Sequence, residues 1–262
     1  MKKKVAVITG ASKGIGYACG IRLNKDYVIY NLSRTVEESL FKSYEVDVND
    51  YQKIKSIAKE IFEKEGQIDL LVNNAGFGIA GAVENCSAEN IYSLVNTNLS
   101  AVITLSSIFI PYLKKTKGKI INISSIGGII PLPYQAVYSA TKAGVEIFSR
   151  ALANEVKESG IKVTAILPGD IKTSFTTSRI IQIDVNDKEK RERIEKSIKK
   201  VEKDEQTGMS ADSVAKVVQK IAKKKNPPLR KSVGLSYKFV SFLSKVLPTR
   251  VINFIVRKLY CK

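Results

Sequence analysis

The chain alternates between short, continuously apolar runs and longer stretches in which apolar positions recur every three or four residues. Val5-Ala6-Val7-Ile8 is uninterrupted and β-branched at Val5, Val7 and Ile8, the pattern of a strand buried on both faces. Similar runs cover residues 27–32, 44–46, 68–72, 119–123 and 161–167, and an edge strand is expected at 230–234. Helical periodicity fills the gaps. One helix leads from the first run through Leu23, and a short one is expected between Thr35 and Ser43. Another carries Ile54, Ile57, Ala58 and Ile61, with Asn49 or Asp50 as its cap. Ser87 can cap a long helix running through Asn98 towards Leu113, with Pro111 near its end. Further helices are expected over about residues 134–159 and over 209–225, the latter capped at Ser210 and stopped by Pro227-Pro228. This alternation predicts an α/β chain with a doubly wound, mostly parallel, seven-stranded sheet and helices on both faces.

After Ile171 the texture changes. Residues 173–179 are polar, and 188–205 form a mixed-charge helix with few apolar positions, so 174–208 is expected to be a mobile, lid-like stretch with little to bury. The tail, 235–262, carries Phe239, Val240, Phe242, Leu243, Val246 and Leu247, then Pro248, then Val251, Ile252, Phe254, Ile255 and Leu259. Two short basic helices broken at Pro248 fit that pattern. The expected layout is one domain over 1–234 followed by this extension.

Composition narrows the chemistry. The 262 residues suit one large domain, or at most two small ones, and the absence of histidine removes Ser-His-Asp and Cys-His catalysis and every histidine-ligated metal site. Cys19, Cys86 and Cys261 form neither a CxxC pair nor an even disulfide set, which reads as a reducing cytoplasm. Met1-Lys2-Lys3-Lys4 resembles the start of a signal peptide, but the apolar run behind it is short and enters a glycine turn. No stretch is expected to reach the ~18 apolar residues of a membrane span. The formal net charge is +18, and from Ser213 to Lys262 there are 13 Lys/Arg with no Asp or Glu, which favours anionic partners. Nucleic acid is not among those expected, because no helix-turn-helix, zinc or single-strand-binding pattern accompanies the charge.

Two constellations carry candidate chemistry. Tyr138 and Lys142 are four residues apart and so share a helix face, where an ammonium would lower the phenol pKa and make it an acid/base near neutrality. The alternative is an ordinary surface pair. Gly10, Ser12, Lys13, Gly14, Ile15 and Gly16 form a glycine-rich turn directly after the first strand. Such turns let a dinucleotide pyrophosphate approach the backbone and a helix N-terminus, although a purely structural turn has the same letters. The second strand ends in Ser33-Arg34 with no carboxylate. With Lys13 nearby, this favours the 2′-phosphate of NADP(H) over the free ribose of NAD(H), unless Arg34 is simply a solvated cation.

Together with Asn73-Asn74-Ala75-Gly76, Asn98, Ser125 and Pro168-Gly169-x-x-x-Thr173, these motifs make the chain resemble the short-chain dehydrogenase/reductases, closely to about Thr173 and more loosely to Gly234. The resemblance implies a Rossmann-type fold and hydride transfer between nicotinamide C4 and a carbonyl or secondary alcohol. It implies Tyr138 as the acid/base and Lys142 as the ribose-binding partner that lowers its pKa. Ser125, thirteen residues before Tyr138 and preferred to Ser124 for that spacing, would orient the substrate oxygen. Asn98, preferred to Asn96, would hold a relay water. Asp47 and Val48 would contact the adenine, Asn74, Ala75 and Gly76 the adenosine side, and Pro168, Gly169, Ile171 and Thr173 would flank the nicotinamide. No metal is implied. Homo-oligomers, dimers or tetramers, are expected through helices around 90–115 and 137–158.

The chain departs from the 3-oxoacyl-carrier-protein reductases at its C-terminus. It lacks their glycine-rich end and instead carries a tail similar to those of relatives acting on steroids, retinol and ketosphinganine-type lipids. The expected activity is thus NADPH-dependent reduction of a small or lipid-like carbonyl. A carrier-protein substrate is the alternative within enzymes, and a peripheral membrane or interaction module the alternative outside them. Substrate contacts are expected from 129–135 and 174–208. The tail either touches an anionic membrane or packs on the protein or a second subunit.

Overall fold

The computed structural model of the chain describes residues 2–36 and 40–261. Seven strands make one parallel sheet: β1 (Lys4–Thr9), β2 (Tyr27–Ser33), β3 (Lys42–Glu45), β4 (Leu70–Asn73), β5 (Lys119–Ile123), β6 (Lys162–Leu167) and β7 (Arg230–Ser232). Their order across the sheet is β7-β6-β5-β4-β1-β2-β3, and every pairing is parallel. Parallel strands need a crossover, and helices on both faces supply it. The expected doubly wound sheet is therefore present. The helix expected between Thr35 and Ser43 falls partly on residues 37–39, which lie outside the described residues.

Period-2 alternation divides the central strands between two cores. Val5 and Val7 face one side, with Leu71, Ile120 and Val163, against α2 (Tyr51–Glu65), α3 (Ala88–Thr116) and α4 (Ala136–Glu155). Ala6 and Ile8 face the other, with Leu70, Val72 and Ile121, against α1 (Gly14–Leu23) and α6 (Ala211–Lys223). Each fully buried Val, Leu or Ile stabilises the fold by roughly 1.5–3 kcal/mol. Asp50 caps α2 by accepting from the Lys53 N–H, and Ser87 caps α3 by accepting from that of Asn90. Ser210 sits at the N-cap of α6 but meets Ser213 Oγ instead of a backbone N–H.

Two features depart from expectation. Helix α3 is long and apolar enough to cross a membrane, contrary to the sequence reading. It nonetheless packs Leu94, Leu105, Phe109 and Leu113 into the interior and so serves as a core helix. Helix α5 (Lys188–Gln206) buries Ile194, Ile198 and Val201, and Ile194 and Ile198 join Ala80 and Val185 in a small core. It therefore has more to bury than its charge suggested. The tail forms α7 (Leu235–Val246) and α8 (Thr249–Tyr260), parted at Pro248 as the sequence implied. All three cysteines are free.

Because β1 lies between β2 and β4, successive crossovers leave in opposite directions there. That reversal opens a crevice beyond the carboxyl ends of the strands, where doubly wound sheets bind ligands.

Candidate active site

A cavity of about 810 Å³ fills this crevice. Its floor at one end is the turn from β1 into α1. Gly10 and Gly14 have φ of +68° and +60°, a left-handed backbone that favours glycine. The N-cap residue Lys13 makes no side-chain capping bond and the first turn of α1 carries no acid. Ser12, Lys13, Gly14 and Ile15 line the cavity there, so the helix N-terminus faces it and suits a pyrophosphate. Ser33, Arg34, Asp47, Val48, Ala75 and Gly76 continue the lining, as does Asn74.

Gly16 departs from that set, because it lies beneath the turn and not at the cavity surface. A Cβ there would overlap the Gly10 carbonyl oxygen. Asn74 braces the same turn, donating from Nδ2 to the Thr9 and Gly10 carbonyls at 2.9 and 3.1 Å. Thr9 Oγ1 accepts from the backbone N–H groups of Asn74 and Ala75. Sequence reasoning missed Asn31, whose Oδ1 accepts from the Ala11 N–H at 2.9 Å and from Ser33 Oγ. Its only signal was a polar residue inside the apolar run of β2.

The catalytic candidates come from three elements. Tyr138 and Lys142 lie on one face of α4, both buried, with the ammonium 5.8 Å from the phenol ring centroid. Ser125, just past β5, lies beside the Tyr138 hydroxyl, and its Oγ accepts from the Gly127 N–H at 3.0 Å. Ser124 and Ser125 both line the cavity, but the buried Ser124 hydroxyl is committed to the Lys142 carbonyl, donating at 2.7 Å. Lys142 Nζ donates to the Ile123 carbonyl at 3.0 Å. Asn98 lies in a π-helical turn, Asn96–Ser100, a distortion common at functional sites. Its Oδ1 accepts from the Phe77 N–H and its Nδ2 donates to the Phe77 carbonyl, so the side chain holds the segment after Gly76. Asn98 does not line the cavity.

Electrostatics correct one expectation. The sequence led us to expect that Lys142 lowers the Tyr138 pKa. Instead burial pushes Tyr138 up to about 12, with Glu205 also raising it and the neighbouring Ser125 hydroxyl and Arg179 opposing. Burial pulls Lys142 down to about 8. Both shifts have one cause, since a low-dielectric interior disfavours each charged form. Tyr138 is thus held as the proton-carrying phenol throughout the working range. The Lys142 charge is present below pH 8 and is lost as the pH rises through it. We expect kcat/KM for reduction to fall above about pH 8, because the cation that supports departing phenol charge disappears, and Tyr138 adds no limb of its own below about 12. A steady-state pH profile checks this.

The substrate end is walled by segments the sequence indicated and by one it did not. Ile130, Leu132 and Gln135 contribute from the first, and Phe175, Ile180, Val201 and Glu205 from the second. Phe175 packs on Tyr138 with ring centroids 5.8 Å apart, and Arg179, wholly buried, pairs with Glu205. The unanticipated wall is the tail: Tyr237, Val240, Leu243, Leu247, Ile252, Val256 and Tyr260 all line the cavity. The Tyr237 hydroxyl donates to the Asp170 carboxylate and its ring lies where a Cβ of Gly169 would be. That clamps the tail onto the Pro168-Gly169 segment. A hydrophobic pattern alone could not say which side of the domain it would cover.

Known proteins resemble this chain. A sequence profile described as short chain dehydrogenase matches residues 4–184. A 3-ketodihydrosphingosine reductase of Bacteroides thetaiotaomicron is 36% identical over 266 residues, covering 99% of each chain. A 3-oxoacyl-(acyl-carrier-protein) reductase of Thermotoga maritima is 33% identical over 190 residues, covering 67% of this chain and 77% of that one. Among solved structures, a short-chain dehydrogenase from Streptomyces avermitilis superposes with a TM-score of 0.82 at 24% identity, over 98% of this chain and 96% of that one, which is a likeness of fold.

Proposed function

The chain belongs to the short chain dehydrogenase family, and from that premise we propose that it reduces the ketone of a long-chain, lipid-like substrate with NADPH. The observation that carries this reading is the apolar wall that α7 and α8 add to the cavity that Tyr138 and Ser125 also line. A small polar ketone would leave that wall facing water, whereas an alkyl chain would bury it at roughly 25 cal/mol per Å². The relative named for 3-ketodihydrosphingosine, a ketone on a long alkyl chain, supports the same class.

The residues present fit a nicotinamide dinucleotide: the uncapped α1 N-terminus for the pyrophosphate, Lys13 and Arg34 for a 2′-phosphate, and Pro168, Gly169, Ile171 and Thr173 along the lining next to Tyr138. The bound cofactor supplies the hydride. The chain's own part is to place the ketone and protonate it. Ser125 Oγ and the Tyr138 hydroxyl both reach one substrate oxygen, and Tyr138 gives its proton to that oxygen as the carbonyl carbon is reduced. Lys142 steadies the charge left on the phenol, and Asn98 holds the segment beside it; a water relay to Lys142 through Asn98 belongs to this proposal. Pairing of two copies through α3 and α4, where Tyr92, Ile103 and Ile147 are exposed, also belongs to it.

A carrier-protein substrate is the second reading, favoured by the relative from Thermotoga maritima and by the basic surface, which suits an acidic carrier. Rates of NADPH oxidation measured side by side separate the two. Long-chain 2-amino-3-ketones and other long-chain ketones are expected to outpace 3-oxoacyl carrier protein by about tenfold or more, since each methylene buried against the wall adds ~0.8 kcal/mol. Faster turnover of the carrier-bound ketone would move the assignment to the second reading.

A further inference from the structure

Each tail helix carries two apolar stripes where a surface helix ordinarily has one. On α7, Val240, Leu243 and Leu247 turn towards the cavity, while Leu235, Phe239, Phe242 and Val246, spaced four, three and four apart, turn outwards. On α8, Ile252 and Val256 face in and Val251 and Phe254 face out. Phe239, Phe242 and Phe254 are 60%, 58% and 62% exposed. Ile255 and Leu259 belong to both sets: they line the cavity and remain exposed, so the outer apolar face runs without a break into the substrate space.

Charge identifies what covers that face. Lys238, Lys245, Arg250, Arg257 and Lys258 are exposed around the stripes, and no acid occurs anywhere from Ser213 onwards. A second copy of this chain would bring the same cations against these, whereas an anionic lipid surface complements them, with the aromatics entering the headgroup boundary. We infer that α7 and α8 seat on an anionic bilayer and form a doorway through which the ketone passes from the membrane to Tyr138 without crossing water. This rests on the lipid-ketone reading, and it adds where the substrate is collected. The tail is then both a wall of the active site and its membrane contact.

The test uses the full-length protein and its F239S/F242S/F254S variant, none of whose substituted positions lines the cavity. Wild type should sediment with phosphatidylglycerol vesicles in a salt-sensitive way and not with phosphatidylcholine vesicles. The variant should lose at least about tenfold of that binding. Reduction of a long-chain ketone embedded in the anionic vesicles should fall in parallel, while a short, water-soluble ketone is turned over equally by both proteins. Undiminished vesicle binding by the variant, or wild type that ignores anionic vesicles, overturns the inference. So does a variant that leaves vesicle binding alone but converts dimers to monomers in sedimentation velocity, which would assign the face to a second copy. If neither protein reduces any ketone, soluble or embedded, it is the underlying activity that fails.

Discussion

Tyr138→Phe is expected to lower ketone reduction by ~10²–10⁴-fold, about 3–5 kcal/mol of transition-state stabilisation, while NADPH binding is largely kept. The substitution removes one oxygen from a buried ring and leaves the ring's contact with Phe175 in place, so the loss reads out proton transfer and not packing. No other group can take over. Ser125 Oγ is within hydrogen-bond reach but is too weak an acid, and Lys142 Nζ is bonded to the Ile123 carbonyl. The effect should fall on kcat more than on KM, because the proton is given only as the oxygen becomes anionic. Turnover near the wild-type rate would remove Tyr138 from the mechanism.

Arg34→Asp is expected to reverse cofactor choice. Arg34 lines the cavity just past β2 and is exposed, within the lining where a 2′-phosphate would sit. A charge-assisted hydrogen bond is worth ~1.5–3 kcal/mol, so its loss costs NADPH about 10–100-fold in kcat/KM. The new carboxylate repels a phosphate but accepts from a ribose hydroxyl, so NADH should gain while NADPH falls. Fold stability should change little at so exposed a position. Measuring kcat/KM for both cofactors checks this, and an unchanged ratio would leave Lys13 and Ser33 as the readers of the adenosine ribose.

Strand runs such as Val5–Ile8 and 161–167 were legible because strands buried on both faces carry no competing pattern. The helix face of Tyr138 and Lys142 was legible because a four-residue spacing has only one outcome on a helix. The strength and direction of their coupling were not. The spacing brings a cation near a phenol, but how deeply both are buried depends on neighbours from elsewhere in the chain, such as Phe175 packed on the Tyr138 ring. Desolvation outweighed proximity, and desolvation is a tertiary property. Ser124 and Ser125 are chemically equal in the sequence, and only the carbonyl of Lys142 distinguishes them. Asn74 and Gly16 were read as touching a cofactor, yet Gly16 packs beneath the turn and Asn74 braces it as well as lining the cavity. Local composition cannot separate a residue that meets a ligand from one that holds the loop that does.

The tail shows the same limit. Its periodicity and charge announced two basic amphipathic helices. The second apolar stripe on each could have suggested two different contacts. What placed one of them was Tyr237 reaching Asp170, a contact between residues 67 positions apart.

In the proposed reaction, a ketone held in the cavity beside Tyr138, Ser125 and the tail receives hydride from NADPH and a proton from Tyr138. The most direct test supplies NADPH deuterated on the transferred face of C4 together with a long-chain 2-amino-3-ketone, and analyses the product by mass spectrometry. Wild type should form a secondary alcohol carrying deuterium on the former carbonyl carbon, and Tyr138→Phe should lose it. An alcohol without deuterium, or ketone recovered unchanged while 3-oxoacyl carrier protein is reduced, would contradict that reaction.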